Sequence, residues 1–456
     1  MLKSLTFSEL LGPLDARLVG EDCSFDHVST DSRAIKPGQL FVALTGPRFD
    51  GHEYLEQVAA KGAVGALVER EVEGCVLPQL VVLDARKALA QLGAMNRNAF
   101  VDRPVAAVTG SSGKTTVKEM LASILRTRGP VLATRGNLNN ELGVPLTLLE
   151  LTPEYTSAVI ELGASRVGEI AFTVSLAKPH VVMITNAGTA HVGEFGGPDK
   201  IVQAKGEIIE GLDENGIAVL NLDDKAFPVW NKRAGSRKVL SFSLSNPSAD
   251  LHASELNVDA RGCPGFTLNS PLGAAPVQLN LLGAHNVTNA LTAAAAAYAL
   301  GVSLDGIVSG LNNVQPVKGR TVSQIASNGM RVIDDTYNAN PSSINAAVDI
   351  LAGFPGRTVL VLGDIGELGE WAEQGHHDVG AYAAGKVSAL YAVGPLMTHA
   401  VSAFGKDAHH FASQAELIAA LGAEQDPHTT LLIKGSRSAA MENVVAALCG
   451  SSLEKH

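Results

Sequence analysis

Cysteine is scarce in this chain. Cys23, Cys75, Cys263 and Cys449 are widely scattered and form no CxxC pair, which argues against a disulfide framework and against a zinc site. Long apolar runs are missing as well: no window of about eighteen consecutive apolar residues occurs, as a membrane span would need. The alanine-rich segment 291–300 is too short to cross a bilayer. The opening Met1-Leu2-Lys3-Ser4-Leu5-Thr6 lacks an extended apolar signal core. A reducing, cytoplasmic location is therefore expected, without membrane insertion. No basic stripe is visible and the net charge is −11, so nucleic acid is not expected as a main partner. Anionic small ligands remain possible, held locally by loops and helix ends. Aromatic residues make up only 5%.

What the chain does have is 46% hydrophobic and 18% charged residues over 456 positions, dominated by Ala, Gly, Val and Leu. That composition suits α/β domains with close helix–sheet packing, and the length suits two to four of them. Three blocks are expected: 1–100, 101–314 and 315–456. The first has apolar strands at 39–44, 65–68 and 80–83 and a helix at 54–61. The second has strands at 158–161, 181–185, 217–221 and 239–242, with helices at 200–211 and 286–300. Short continuous apolar runs of this kind fit parallel strands buried on both faces. Residues 312–319, with Pro316 and Gly319, read as a hinge. The third block alternates strands at 332–334, 358–362, 389–393 and 430–433 with helices at 342–351, 373–384, 414–421 and 439–448. Such alternation predicts a doubly wound, Rossmann-like sheet with its ligands at the carboxyl ends of the strands.

The most informative segment is Thr109-Gly110-Ser111-Ser112-Gly113-Lys114-Thr115-Thr116, preceded by the apolar run Val105-Ala106-Ala107-Val108. A strand, a glycine loop and a helix in that order make a phosphate-binding loop. Backbone N–H groups and the helix N-terminus can cradle a polyphosphate. Lys114 adds a point charge, and Thr115 offers a hydroxyl to Mg²⁺. One glycine is displaced: the usual first glycine position is Val108, and the glycine stands at Gly110.

Other polar groups fall at strand ends. Glu161 closes an apolar strand, where a carboxylate can reach Mg²⁺ or merely be solvated. His191 follows the next strand in a glycine-containing loop and can ligate a metal or lie on the surface. Lys205 lies on a helix, where a lysine is ordinarily solvated. Asp334-Asp335-Thr336-Tyr337-Asn338-Ala339-Asn340-Pro341 is a polar cluster that capping explains only in part. Gly319-Arg320, just past the hinge, can bring a cation to phosphate. Lys434-Gly435-Ser436-Arg437 follows the last strand and is another candidate anion or carboxylate site. In the first block, Ser32, Arg33 and Arg48 would suit a diphosphate, or are ordinary turn residues.

In this order the segments resemble the Mur ligase family over essentially the whole chain. The offset-glycine loop is the form found in Mur ligases and folylpolyglutamate synthetases. Gly136-Asn137-Leu138-Asn139-Asn140-Glu141-Leu142-Gly143-Val144-Pro145, the Asp334–Pro341 cluster and Gly363-Asp364-Ile365-Gly366-Glu367-Leu368-Gly369 are similar to the branch that adds D-alanyl-D-alanine. The DNPR motif of the diaminopimelate-adding branch is absent. The resemblance implies a three-domain α/β fold: a UDP-substrate domain, a central ATP-binding domain and a C-terminal ligase domain. It implies ATP with two Mg²⁺ ions, and a monomer acting on UDP-N-acetylmuramoyl-tripeptide and D-alanyl-D-alanine.

The same resemblance implies residue roles. Gly110, Ser111, Ser112, Gly113, Lys114, Thr115 and Thr116 would bind ATP phosphates. Asn286 and Asn289 would bind adenine, and Arg320 and Asp335 would complete the nucleotide site. Thr115, Glu161, His191 and a carbamylated Lys205 would hold metal. Ser32 and Arg33 would bind the UDP moiety, while Asn137, Asn139, Asn140 and Asn338 would contact substrate. Lys114, Glu161, His191, Lys205 and Arg320 would carry the chemistry. A folate ligase would not be expected to carry the Asp31-Ser32-Arg33 module. A nucleotide-binding scaffold or a simple kinase leaves the retained set or the outer blocks unexplained.

Overall fold

A computed structural model describes residues 1–188, 192–326, 328–423 and 428–450. Three large sheets follow one another along the chain, beside two two-stranded ones. The first has five strands in the order Arg17–Val19, Gln79–Val81, Gly65–Val68, Leu40–Val42, Val28–Ser29, parallel except for the first. The central sheet runs Val131–Ala133, Ser157–Glu161, Val105–Thr109, Val181–Ile184, Ile217–Asn221, Lys238–Ser243, Leu251–Val258, all parallel. Pro264–Ser270 and Gly273–Gln278 then extend it antiparallel. The third sheet runs Val322–Ile325, Arg331–Asp335, Thr430–Lys434, Thr358–Gly363, Ala389–Val393, Ala408–Phe411, with only its first pair antiparallel.

The central sheet is covered on both sides, and its sequence shows why. Successive strand residues point to opposite faces. Ala106, Val108, Val159, Met183 and Val219 pack on one side, with helices Lys114–Leu125 and His285–Ala299. Val105, Ala107, Ala158, Ile160, Val182 and Leu220 pack on the other, with Gly143–Leu149 and Glu169–Ala177. Every residue from Ala293 to Ala297 is buried. Their small side chains let that helix lie close to the phosphate-loop helix.

Strands Gly65–Val68, Ile217–Asn221 and Ala389–Val393 fall where the apolar runs place them. The helix expected over 200–211 is instead an α-helix, Pro198–Gly206, followed by a 3₁₀ turn, Glu207–Gly211. There the Glu207 carboxylate accepts from Gly168 N (2.8 Å) and Ala171 N (3.1 Å), at the start of Glu169–Ala177. An acid at a helix N-terminus complements its exposed N–H groups and dipole. Among the described residues, no helix is long and apolar enough to cross a membrane.

The first and central sheets are joined by helix Ala85–Ala99, which packs on Gly143–Leu149. Buried Asn96 donates to Leu148 O (2.8 Å) and Leu151 O (3.1 Å), and its Oδ1 accepts from Leu2 N (2.8 Å). Buried Arg97 donates to Ala177 O and Lys178 O, both at 2.7 Å, and to Phe100 O at 3.2 Å. Its charge is set against the carbonyl end of Glu169–Ala177, the favourable end for a cation. The central and third sheets instead share an apolar cluster, with Val192, Phe195, Ile201 and Leu282 against Ile344, Ile365 and Leu368.

Candidate active site

The phosphate loop leaves strand Val105–Thr109 and enters the 12-residue helix Lys114–Leu125. Gly113 occupies the helix N-cap at φ 81°, and a Cβ there would lie 2.5 Å from Asn289 Oδ1. Both the left-handed backbone and the close approach require glycine. The loop is pinned from behind. Ser111 N donates to Asn186 O (3.1 Å), Ser112 N to Asn186 Oδ1 (3.2 Å), and Thr185 Oγ1 to Ser112 O (2.6 Å). The free N–H groups of the first helical turn are thus presented as a ready anion site. Lys114 Nζ donates to Gly110 O at 2.8 Å, folded back over its own loop.

This loop forms part of a cleft of about 1480 Å³. Ser111, Ser112, Gly113, Lys114, Thr115, Asn137, Asn139, Asn140 and Glu161 line it from the central sheet. Arg320, Asn338, Lys434 and Arg437 line it from the third, and Arg86 from the first. Arg320 bridges two sheets: its Nη2 donates to Thr115 Oγ1 at 3.2 Å, and its guanidinium sits 3.9 Å from the centre of the Tyr337 ring. Burial pushes the Lys114 ammonium below the usual lysine range; Arg320 adds to this and Glu161 opposes it.

Glu161 is 2% exposed. Its Oε1 accepts from Asn139 Nδ2 (2.9 Å), while Oε2 is buried with no hydrogen-bond partner among the described residues. A buried, half-satisfied carboxylate beside a phosphate loop fits a Mg²⁺ ligand, since leaving such an oxygen unpaired is costly. No group of three His, Cys, Asp or Glu side chains gathers as a metal cluster among the described residues. His191 lies outside the described residues.

Lys205 departs from the solvated reading of its sequence: it is 1% exposed, with Nζ 5.0 Å from the centre of the Phe195 ring. Burial, with Lys114 adding repulsion, lowers its amine to about 7 against weaker opposition from Glu169 and Glu207. A substantial fraction is therefore the neutral, nucleophilic amine near neutral pH.

In the third sheet, strand Thr430–Lys434 is the last in sequence yet lies between Arg331–Asp335 and Thr358–Gly363. That insertion brings Asp335 and Lys434 side by side, with Lys434 Nζ 2.6 Å from Asp335 Oδ2 and 2.8 Å from Asn338 O. Asn340 caps helix Pro341–Ala352 in a capping box with Ser343. Asn338 Oδ1 accepts from Ala339 N (2.9 Å), and Arg437 N donates to it at 3.4 Å.

Several expected site residues stand apart from the cleft lining. Gly110, Thr116 and Asp335 are not among its lining residues. Asn286 and Asn289 are buried behind the loop: Asn286 donates to Leu282 O and Asn289 to Asn286 Oδ1, each at 2.8 Å. Ser32 and Arg33 lie on the first domain outside the cleft. There Arg33 forms a two-pronged pair with Asp31, with both contacts at 2.9 Å, and Lys61 Nζ donates to Ser32 O. Sequence reasoning missed Arg86, Lys118 and Arg166, all in the lining. Lys118 was within reach, because it stands four residues after Lys114 and so shares its helix face. Its Nζ donates to Thr134 O at 2.6 Å and pairs with Glu119.

Three Mur ligase family models match in order: the catalytic domain model over residues 24–97, the middle domain model over 108–297 and the glutamate ligase domain model over 319–437. The chain is 48% identical over 451 residues to the UDP-N-acetylmuramoyl-tripeptide–D-alanyl-D-alanine ligase of Escherichia coli, covering 98% of both. It is 39% identical to the Haemophilus influenzae ligase of the same name, covering 97% of this chain and 98% of that one. A crystal structure of MurF from Acinetobacter baumannii superposes with a TM-score of 0.93 at 41% identity, over 99% of this chain and 100% of that one. MurF ligase from Thermotoga maritima, solved with ADP, superposes with a TM-score of 0.82 at 27% identity, over 92% and 96%. Full-length likeness and a shared three-sheet α/β architecture agree: the chain belongs to the Mur ligase family, on the branch that holds the MurF ligases.

Proposed function

We propose that this protein joins D-alanyl-D-alanine to UDP-N-acetylmuramoyl-tripeptide, with ATP converted to ADP and phosphate, giving the UDP-linked pentapeptide precursor of peptidoglycan. The observation that carries the reading is the convergence of Lys114, Glu161 and Arg320 on one cleft, opposite Asn338 and Lys434. A terminal carboxylate of the tripeptide attacks the γ-phosphorus of ATP, and ADP leaves. The acyl phosphate is then attacked by the free amine of the dipeptide. The amine loses a proton, an amide forms and inorganic phosphate departs.

The chain's own groups supply position and charge. The phosphate loop and the start of helix Lys114–Leu125 hold the ATP phosphates. Lys114 exchanges its contact with Gly110 O for phosphate oxygen, and Arg320 swings from Thr115 Oγ1 to the transferring group. Thr115, Glu161, His191 and a carbamylated Lys205 would hold two Mg²⁺ ions. Such ions neutralise charge between carboxylate and phosphoryl group. The lowered amine of Lys205 favours its reaction with CO₂. Asn286 and Asn289 set the adenine side from behind the loop, and Asp335 anchors Lys434 at the third-domain edge. Asn137, Asn139, Asn140 and Asn338 line the path of the tripeptide and dipeptide.

We assign the UDP moiety to the first domain, residues 1–100, with Ser32 and Arg33 as contacts. Nucleotide chemistry falls to 101–314 and the dipeptide to 315–456. We further assign a cytoplasmic monomer, which size-exclusion chromatography with light scattering would check. The function itself is tested by separating its halves. Dipeptide-dependent phosphate release with the tripeptide present supports it. Equal release with and without dipeptide would refute it.

A further inference from the structure

The 363–369 loop has no part in the chemistry set out above, yet it is a second place, beside Arg320 on Thr115, where the third domain grips the central one. Gly193 N donates to Glu367 O at 3.3 Å across the domains. A Cβ on Gly193 would lie 2.6 Å from Gly369 N, so the two backbones meet at van der Waals distance. Glu367 takes a left-handed backbone at φ 64°, a conformation a non-glycine residue holds only when its surroundings impose it. Ile365 and Leu368 are buried in the cluster shared with Val192 and Phe195, and the Phe195 ring covers Lys205 Nζ.

Ser436 N (3.0 Å) and Oγ (2.6 Å) hold the loop's start by donating to Asp364 O, and its next residue is held by His376, which is fully buried on helix Ala372–Ala383. Ile365 N donates to its Nε2 at 3.0 Å, and its Nδ1 donates to Ala372 O at 2.6 Å. One nitrogen must accept and the other must donate, so the ring is neutral with its proton on Nδ1. Asp364 Oδ1, 4.0 Å from Nε2, therefore faces an uncharged ring; that oxygen accepts from Met397 N instead (3.1 Å).

We propose that His376 is a positioning residue for ligation. Its Nε2 fixes the 363–369 loop in the one shape that clasps Gly193, and the clasp sets Phe195 over Lys205 when the third domain is docked. The proposal rests on the ligase reading above. It is tested in the full-length enzyme with His376→Leu, His376→Gln and Gly193→Ala, measuring kcat for dipeptide-dependent phosphate release and, separately, the Kd for ADP. His376→Leu removes the acceptor. Gly193→Ala forces the clasp apart without touching His376. The glutamine carbonyl can replace Nε2 as acceptor. Loss of positioning on the ångström scale should lower kcat by about tenfold to a hundredfold in the leucine and alanine variants. ADP affinity should stay within about twofold, and His376→Gln should recover most of the rate.

Three results would overturn the proposal: unchanged kcat in Gly193→Ala, a glutamine variant as slow as the leucine one, or ADP affinity falling in step with kcat. Should His376→Leu prove insoluble, Gly193→Ala and His376→Gln carry the same comparison. Wild-type enzyme lacking dipeptide-dependent release would sink the ligase reading and this proposal with it, and is told apart because no variant is involved.

Discussion

The two joins between domains are built on different principles. Where the first domain meets the central one, Asn96 and Arg97 are buried and their polar groups meet backbone carbonyls, with a helix–helix contact around them. Where the central domain meets the third, a polar cleft of about 1480 Å³ is bridged by Arg320 on Thr115 and by the contact of Gly193 with the 363–369 loop. The first join satisfies its polar groups within the protein. The second leaves Glu161 Oε2 without a partner among the described residues and holds Lys114 Nζ on one backbone carbonyl of its own loop. A seam of the first kind serves stability, and one of the second kind serves chemistry.

That division can be broken by substitution. Lys114→Ala should have the largest effect, lowering kcat on the order of a thousandfold while thermal unfolding is unchanged. Arg320→Ala should follow, with a loss of about a hundredfold in kcat and little change in melting, since one of its two described contacts is an aromatic face. Arg97→Met should do the reverse. It strands the carbonyls of Phe100, Ala177 and Lys178 and should cost roughly 2–4 kcal/mol in urea unfolding, with kcat held within about twofold. A large kcat loss without destabilisation in Arg97→Met would erase the distinction between the joins.

The smallest effect concerns Lys205. With its amine lowered to about 7, Lys205 should take up ¹³C-labelled CO₂ about tenfold faster at pH 8 than at pH 6, at fixed dissolved CO₂, and level off above that. An ordinary lysine would keep gaining well beyond pH 9. The sign for folding agrees. Between about 7 and the ordinary value of 10.5, the unfolded lysine is charged and the buried one is not. Stability from this group therefore rises with pH across that window, and is lost as pH falls toward 7.

Much of this was legible in the sequence. Continuous apolar runs located the buried parallel strands, because burial on both faces leaves no room for polar residues. The phosphate loop was readable because its glycines and lysine answer local needs. Strands Leu251–Val258 and Gly273–Gln278 were not, since their exposed positions break the apolar signal. Lys205 was opaque for a different reason. Phe195 covers it from another segment, the Lys114 charge acts on it from a third, and nothing within its own helix marks it. Arg97 was equally silent, since two of its three partners lie 80 and 81 residues away in sequence. The Asp334–Pro341 cluster was only partly separable: Asn340 is a cap, whereas Asp335 is spoken for by Lys434.

The most direct test of the central reading is product analysis. Purified protein is incubated with ATP, Mg²⁺, UDP-N-acetylmuramoyl-tripeptide and D-alanyl-D-alanine, and the mixture is followed by mass spectrometry alongside phosphate release. The expected result is one UDP-linked pentapeptide and one ADP for each phosphate released, with none of the three when the dipeptide is omitted. Phosphate release without pentapeptide, or with a different acceptor joined in its place, would contradict it.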